Sequence, residues 1–136
     1  MELKDAIKMA AMGMQAQGKR MKVISENIAN ASTTGKTSNE APYRRQIVTF
    51  KNMLDRTSGL RHVKVDKVIE DQADFNLKYD PEHPAADDKG YIKMPNVNTL
   101  IEMMDMRESQ RSYEANLGMI EMSRSMLMRT IDLLRA

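Results

Sequence analysis

The chain has 136 residues, a formal net charge of only +2, no cysteine and 14 methionines, with acids and bases interspersed rather than gathered in blocks. This composition excludes a disulfide framework and any cysteine-based metal site. It also argues against a nucleic-acid protein, which needs a basic stripe with aromatic or base-reading residues.

The first element is an apolar stripe at heptad spacing: Leu3, Ile7, Ala10, Met14, Gln17, Met21, Ile24, Ile28 and Ala31, interrupted only by Gln17. Steps of four and three predict a helix from about Leu3 to about Ala31 that packs along a shared seam. Glu2 and Asp5 suit its positive end, Lys19, Arg20 and Lys22 follow, and Gly35 is expected to stop it. Small residues at Ala10, Ala11, Gly13, Ala16 and Gly18 let a partner helix come close. The opening MELKDAIKMAAMGM is broken by Lys4, Asp5 and Lys8, so it lacks the apolar core of a secretory signal. A chain that leaves the cytoplasm with this start is expected to use a route that reads no cleavable signal. No window approaches the ~18 apolar residues of a membrane span.

The run Ser32 to Ala41, STTGKTSNEA, is a polar loop. The middle then predicts short strands: Tyr43 to Phe50, roughly Leu60 to Ile69, Phe75-Leu77-Tyr79 in alternation, and Tyr91 to Met94. Period two suggests a small sheet or hairpins with one buried face. Arg44 and Arg45 fall on neighbouring strand positions and point to opposite faces, so they make no basic patch. Surface solubility or an intersubunit salt bridge suits them better than phosphate binding. Asp80, Glu82, His83, Asp87 and Asp88 match neither a calcium loop nor a zinc site in spacing, and they read as a proline-punctuated turn. His62 falls within a predicted strand. No nucleophile elbow, phosphate loop or dinucleotide fingerprint occurs, so neither an enzyme nor a cofactor is expected.

Thr99, with Glu102 three residues later, offers a capping box for a second long helix running to about Leu134. Its heptad stripe reads Met103, Met106, Gln110, Tyr113, Leu117, Ile120, Arg124, Leu127, Ile131 and Leu134. A second apolar line, Ala115, Met119, Met122 and Met126, lies on an adjacent face. One partner helix covers one stripe and hardly both, so burial from two sides is inferred, once within the molecule and once by another molecule. The alternative is the wide apolar face of an ordinary core helix. The expected fold is mainly α with a small β module. Residues 1–34 and 96–136 supply two terminal helices in an antiparallel coiled coil, and residues 35–95 supply the loop and strands.

Several motifs resemble those of a known family. SENIANASTTG, Ser25 to Gly35, followed by Pro42-Tyr43-Arg44-Arg45, resembles the amino-terminal motif of bacterial flagellar rod and hook proteins, usually NIAN and a Thr-x-Gly-Tyr turn. Here Lys36 to Pro42 separates Gly35 from Tyr43. Pro95-Asn96-Val97-Asn98 with Arg111 to Asn116 resembles the carboxy-terminal motif, and the run from Asp80 through Asn98 is similar to that of the proximal rod members.

The resemblance spans nearly the whole chain. It implies a structural subunit of the periplasm-spanning rod of the basal body, exported without a cleaved signal peptide and assembled through its terminal helices into an inner tube. It implies as partners other copies of the chain, other proximal rod proteins, the adaptor at the base of the export gate and the distal rod protein, with no nucleic acid and no membrane span. The expected assembly residues are Leu3, Ile7, Ala10, Met14, Met21, Ile24 and Ile28, with Asn27 and Asn30 of the motif. On the second helix they are Met103, Met106, Tyr113, Asn116, Leu117, Met119, Ile120, Met122, Met126, Leu127, Ile131 and Leu134. The competing reading is an adaptor that lays its first amphipathic helix on a membrane surface or a partner protein. The lack of Trp or Phe in that stripe disfavours it.

Overall fold

The computed structural model describes residues 3–56 and 59–135. Glu2, expected at the positive end of the first helix, lies outside them. The element order is α1 (Leu3–Ala29), β1 (Gln46–Leu54), β2 (Arg61–Glu70), β3 (Asn76–Tyr79), β4 (Tyr91–Met94) and α2 (Thr99–Arg135). Two long terminal helices thus enclose, in sequence, a small antiparallel β module. No helix among the described residues is long and apolar enough to cross a membrane.

α1 ends at Ala29, two residues short of the expected Ala31. The Asn30 side chain folds back and donates to the Glu26 carbonyl at 2.8 Å, which also accepts the Asn30 backbone N–H at 3.1 Å. Gly35 is not the stop signal. It sits buried in the following loop, where a Cβ would collide with the Glu40 carbonyl oxygen. That loop is tied by polar contacts: the Lys36 N–H donates to Glu40 Oε2 at 2.8 Å and the Tyr43 N–H to the Thr33 carbonyl at 3.0 Å.

β1 pairs with β2, and β3 with β4. β1 starts three residues later than the alternation from Tyr43 implies, because Tyr43, Arg44 and Arg45 are engaged in side-chain contacts described below. β3 and β4 are antiparallel, with Leu77 opposite Lys93 and Tyr79 opposite Tyr91. The turn between them is organised by Asp87, whose Oδ1 accepts the Tyr91 N–H at 2.8 Å and the Lys89 N–H at 2.9 Å. His83 accepts the Ala85 N–H on Nδ1 at 3.1 Å, which makes it part of the same turn.

The cap of α2 differs from the expected capping box. Asn98, not Thr99, is the N-cap: its Oδ1 accepts the Leu100 N–H at 3.1 Å and the Ile101 N–H at 3.4 Å. Glu102 has turned away from the helix end and is only 1% exposed.

The chain forms two compact units. One takes α1 as far as Met21, Thr49–Lys67, and α2 from Arg107 on, and the other takes Lys22–Val48 and Val68–Met106. The first is built on small side chains, with Ala10, Ala16, Ser109 and Ser123 buried, whereas Val23, Ile24, Ile92, Pro95 and Val97 form the core of the second.

Candidate assembly interface

The unit containing Lys22–Val48 and Val68–Met106 is organised around a buried polar hub. Asn27, 1% exposed, uses every hydrogen-bonding position of its amide. Its Nδ2 donates to the Gln46 carbonyl at 2.8 Å and to Glu102 Oε2 at 3.0 Å, while Oδ1 accepts the Gln46 N–H and the Tyr43 hydroxyl, both at 2.9 Å. The side chain therefore binds the start of β1 as a neighbouring strand would, and joins it to both helices. Tyr43 keeps its proton for this bond. Its phenol is pushed above the ordinary value first by burial and then by the Glu26 and Glu102 charges.

Arg45 closes the hub from the other side. Its Nε donates to Glu102 Oε1 at 2.6 Å, and its guanidinium also reaches Asp71 at 3.3 Å and Asp105 at 3.8 Å. Its backbone N–H donates to Asn96 Oδ1 at 2.8 Å, and Asn96 Nδ2 donates in turn to the carbonyls of Asp71 and Ala73. The neighbouring Arg44 donates to the same two carbonyls and lies 4.2 Å from the centre of the Phe75 ring. Both arginines make contacts within the unit, which their strand positions did not suggest. Arg45 is the fixed cation beside the buried Glu102 carboxylate, and Arg44 is held by the Asp71 and Ala73 carbonyls and the Phe75 ring.

In the unit containing the rest of α2, the face turned inward is small and polar. Ser109 and Ser123 are buried, and a Cβ on Gly13 would meet the Asn116 side chain at 2.9–3.1 Å. The inward line thus runs through Ser109, Asn116 and Ser123, displaced by one residue from the expected Gln110, Leu117 and Arg124 line, all of which are exposed. Hydropathy marks the large side chains, whereas close approach of two helices selects small ones. Between α1, α2 and Arg61–Val63 of β2 lies a groove of about 560 Å³, floored by Ala6, Ala10, Gly13 and Ala16. Gln17, also on its wall, buries its Oε1 with no hydrogen-bond partner among the described residues.

The expected assembly residues divide accordingly. On α1, Ala10, Ile24 and Asn27 are buried, and Leu3, Ile7, Met14, Met21 and Ile28 are half-buried, as is Asn30 just past its end. On α2, Met106, Tyr113, Asn116 and Ile120 are half-buried. Met103, Leu117, Met119, Met122, Met126, Leu127, Ile131 and Leu134 are exposed. From Arg124 to Arg135 every residue of α2 is exposed on all sides of the helix. The sequence reading missed Arg45, Glu102, Asp71 and Asn96 as a cluster. Their separations, 57 residues from Arg45 to Glu102 and 51 from Arg45 to Asn96, hide it from local patterns.

Residues 7–35 match the family described as flagella basal body rod protein, and residues 88–133 match the carboxy-terminal family of flagellar basal body rod FlgEFG proteins. The chain is 53% identical to the flagellar basal-body rod protein FlgC of Agrobacterium fabrum over 98% of its own length and 96% of the relative. It is 39% identical to FlgC of Escherichia coli O6:H1 over 98% of each, and 38% identical to FlgC of Bacillus subtilis over 94% of this chain and 95% of the relative. The chain belongs to the flagellar basal-body rod protein family. Within this rod protein the two matched segments meet at the Asn27–Glu102 hydrogen bond. Asn27 and Asn96 lie within the two matched segments, and with Tyr43 and Arg45 from between them they form the polar hub of the second unit.

Proposed function

We propose that this rod-family chain is a structural subunit of the flagellar proximal rod, polymerising through its terminal helices into a helical drive shaft that transmits torque and encloses the export channel. One observation carries this reading: from Arg124 to Arg135 every residue of α2 is exposed, and the stretch bears Met126, Leu127, Ile131, Leu133 and Leu134. An apolar helix end of this length is covered when neighbouring subunits pack on it, and head-to-tail contacts that do not close build a filament rather than a ring. Each such side chain buried contributes about 1.5–3 kcal/mol, set against the entropy of association, so several per subunit make assembly cooperative.

Within the subunit the helices pair as an antiparallel coiled coil. The Asn27–Glu102 and Gly13–Asn116 contacts support this, being two heptads apart on both helices. Residues 1–34 and 96–136 then serve assembly, while 35–95 bear the loop and β module. The partners are other copies of the chain, other proximal rod proteins, the export-gate adaptor below and the distal rod protein above. The subunit catalyses no reaction and reaches its place by an export route that cleaves no signal. Met122→Asp and Ile28→Asp are the test. Each variant is expected to be synthesised normally and to be absent from purified basal bodies, and incorporation at normal levels would overturn the reading.

A further inference from the structure

α1 and α2 differ sharply in how they hold methionine. Met9, Met12, Met14 and Met21 of α1 are all half-buried. On α2, Met119, Met122 and Met126 are 49%, 56% and 50% exposed; Met103, Met104 and Met128 are exposed too, at 54%, 64% and 54%, but do not join these three in one contiguous stripe. At 100° per residue these three side chains fall within a sector of about 60° and form one stripe, whose first member, Met119, also lines the groove that Met9 lines from α1. The patch lies beside the inward line of Ser109, Asn116 and Ser123, which contains no sulfur. There is no cysteine anywhere in the chain to react first.

We propose that Met119, Met122 and Met126 are a modification site for two-electron oxidants of the peroxide and hypohalous acid class. We propose further that their conversion to sulfoxide disables this face for assembly while leaving the subunit folded. With hydrogen peroxide, a sulfur lone pair attacks one peroxide oxygen, the O–O bond breaks, an S–O bond forms, and the second oxygen leaves as water after proton transfer. Sulfur loses two electrons and the peroxide gains them. The product is a polar, chiral side chain with a strong acceptor oxygen, and methionine sulfoxide reductases acting with a thiol reductant reverse the change.

Three sulfoxides on one stripe turn an apolar contact surface into one that must be desolvated at a cost. The fold is spared because the buried line of the same helix is built of serine and asparagine. The effect on assembly rests on the function proposed above, whereas the assignment of the site does not.

The test uses the purified full-length chain treated with hydrogen peroxide. Peptide mass spectrometry is expected to show sulfoxide at Met119, Met122 and Met126 forming several-fold faster than at Met9, Met14 and Met21, with the far-UV circular dichroism unchanged. Equal rates on the two helices would overturn the site. Association is then followed by analytical ultracentrifugation, with and without peroxide, for the wild type and for a chain carrying Met119→Leu, Met122→Leu and Met126→Leu. Each is compared with its own untreated state. Oxidation should abolish association of the wild type, reductase treatment should restore it, and the leucine variant should lose little. Equal sensitivity of the two chains, or undiminished association of the oxidised wild type, would overturn control by oxidation. A wild type that does not associate before treatment counts against the assembly reading, and the rates still decide the site.

Discussion

Asn27 holds a position that only a primary amide fills, since it must donate twice and accept twice from fixed partners in a dry interior. Replacing it with alanine strands the Gln46 backbone groups and the Tyr43 hydroxyl, which costs about 1–3 kcal/mol per buried group left unsatisfied. Asn27→Asp is expected to be worse than Asn27→Ala, although it is nearly isosteric. Aspartate cannot donate to the Gln46 carbonyl, and it sets a second carboxylate against Glu102. Urea denaturation of the two variants checks the order, and an aspartate variant as stable as the alanine one would contradict the hub geometry. Asp71 makes the hub sensitive to acid. Its carboxyl is held below the ordinary range chiefly by the Ala73 N–H, with burial acting in the opposite direction and Arg45 adding to the depression. A depressed folded pKa means that its stabilisation is present above the unfolded value and is lost as pH falls through the folded one. Melting temperature should therefore fall below about pH 4, and Asp71→Asn should flatten that part of the profile.

At the scale of elements, the corrected start of α2 can be tested by two neighbouring substitutions. Asn98→Ala removes the acceptor for the Leu100 and Ile101 N–H groups and should cost about 1 kcal/mol, whereas Thr99→Ala should cost almost nothing. Denaturant midpoints of the two variants give the answer, and the reverse order would restore Thr99 as the cap. The capping box misled because Ser/Thr followed by Glu is a local pattern, and Glu102 answers a distant demand from Arg45. The same division runs through the rest of the chain. Both helices were legible from heptad spacing and the four strands from their apolar residues, but the buried face that alternation implies is missing from β3, where Leu77 and Tyr79 are both exposed. The phase of the α2 seam was not, since Ser109, Asn116 and Ser123 are invisible to a scale that rewards large apolar groups. Nor was the hub as a cluster: Asn27, Tyr43, Arg45 and Asn96 stood out as motif residues, but their contacts with each other, Asp71 and Glu102 are long-range. Tyr43-Arg44-Arg45 looked like the opening of a strand and instead supplies the side chains that hold the motifs to each other.

At the scale of the whole molecule, the proposed function requires the subunit to separate what folds it from what it offers to others. From Arg124 to Arg135 every residue of α2 is exposed, with Leu127 at 37% and Leu134 at 83%, so the apolar residues there contribute little to the stability of the subunit alone. A chain ended after Ser123 should thus keep the denaturant midpoint of the full chain, because substitutions at sites without buried contacts typically change stability by no more than about 0.5 kcal/mol. Its helical signal should fall only by the residues removed. The same truncation should abolish incorporation into basal bodies, since the deleted stretch carries Met126, Leu127, Ile131, Leu133 and Leu134, the longest uncovered apolar surface on the helix. The two measurements must diverge for the reading to stand. A midpoint that collapses on truncation would mean that the end of α2 is part of the subunit's own core. Normal incorporation of the shortened chain would mean that neighbours engage the rod subunit elsewhere. Retained stability with lost assembly is the combination expected of a helix whose final turns are completed by the next subunit.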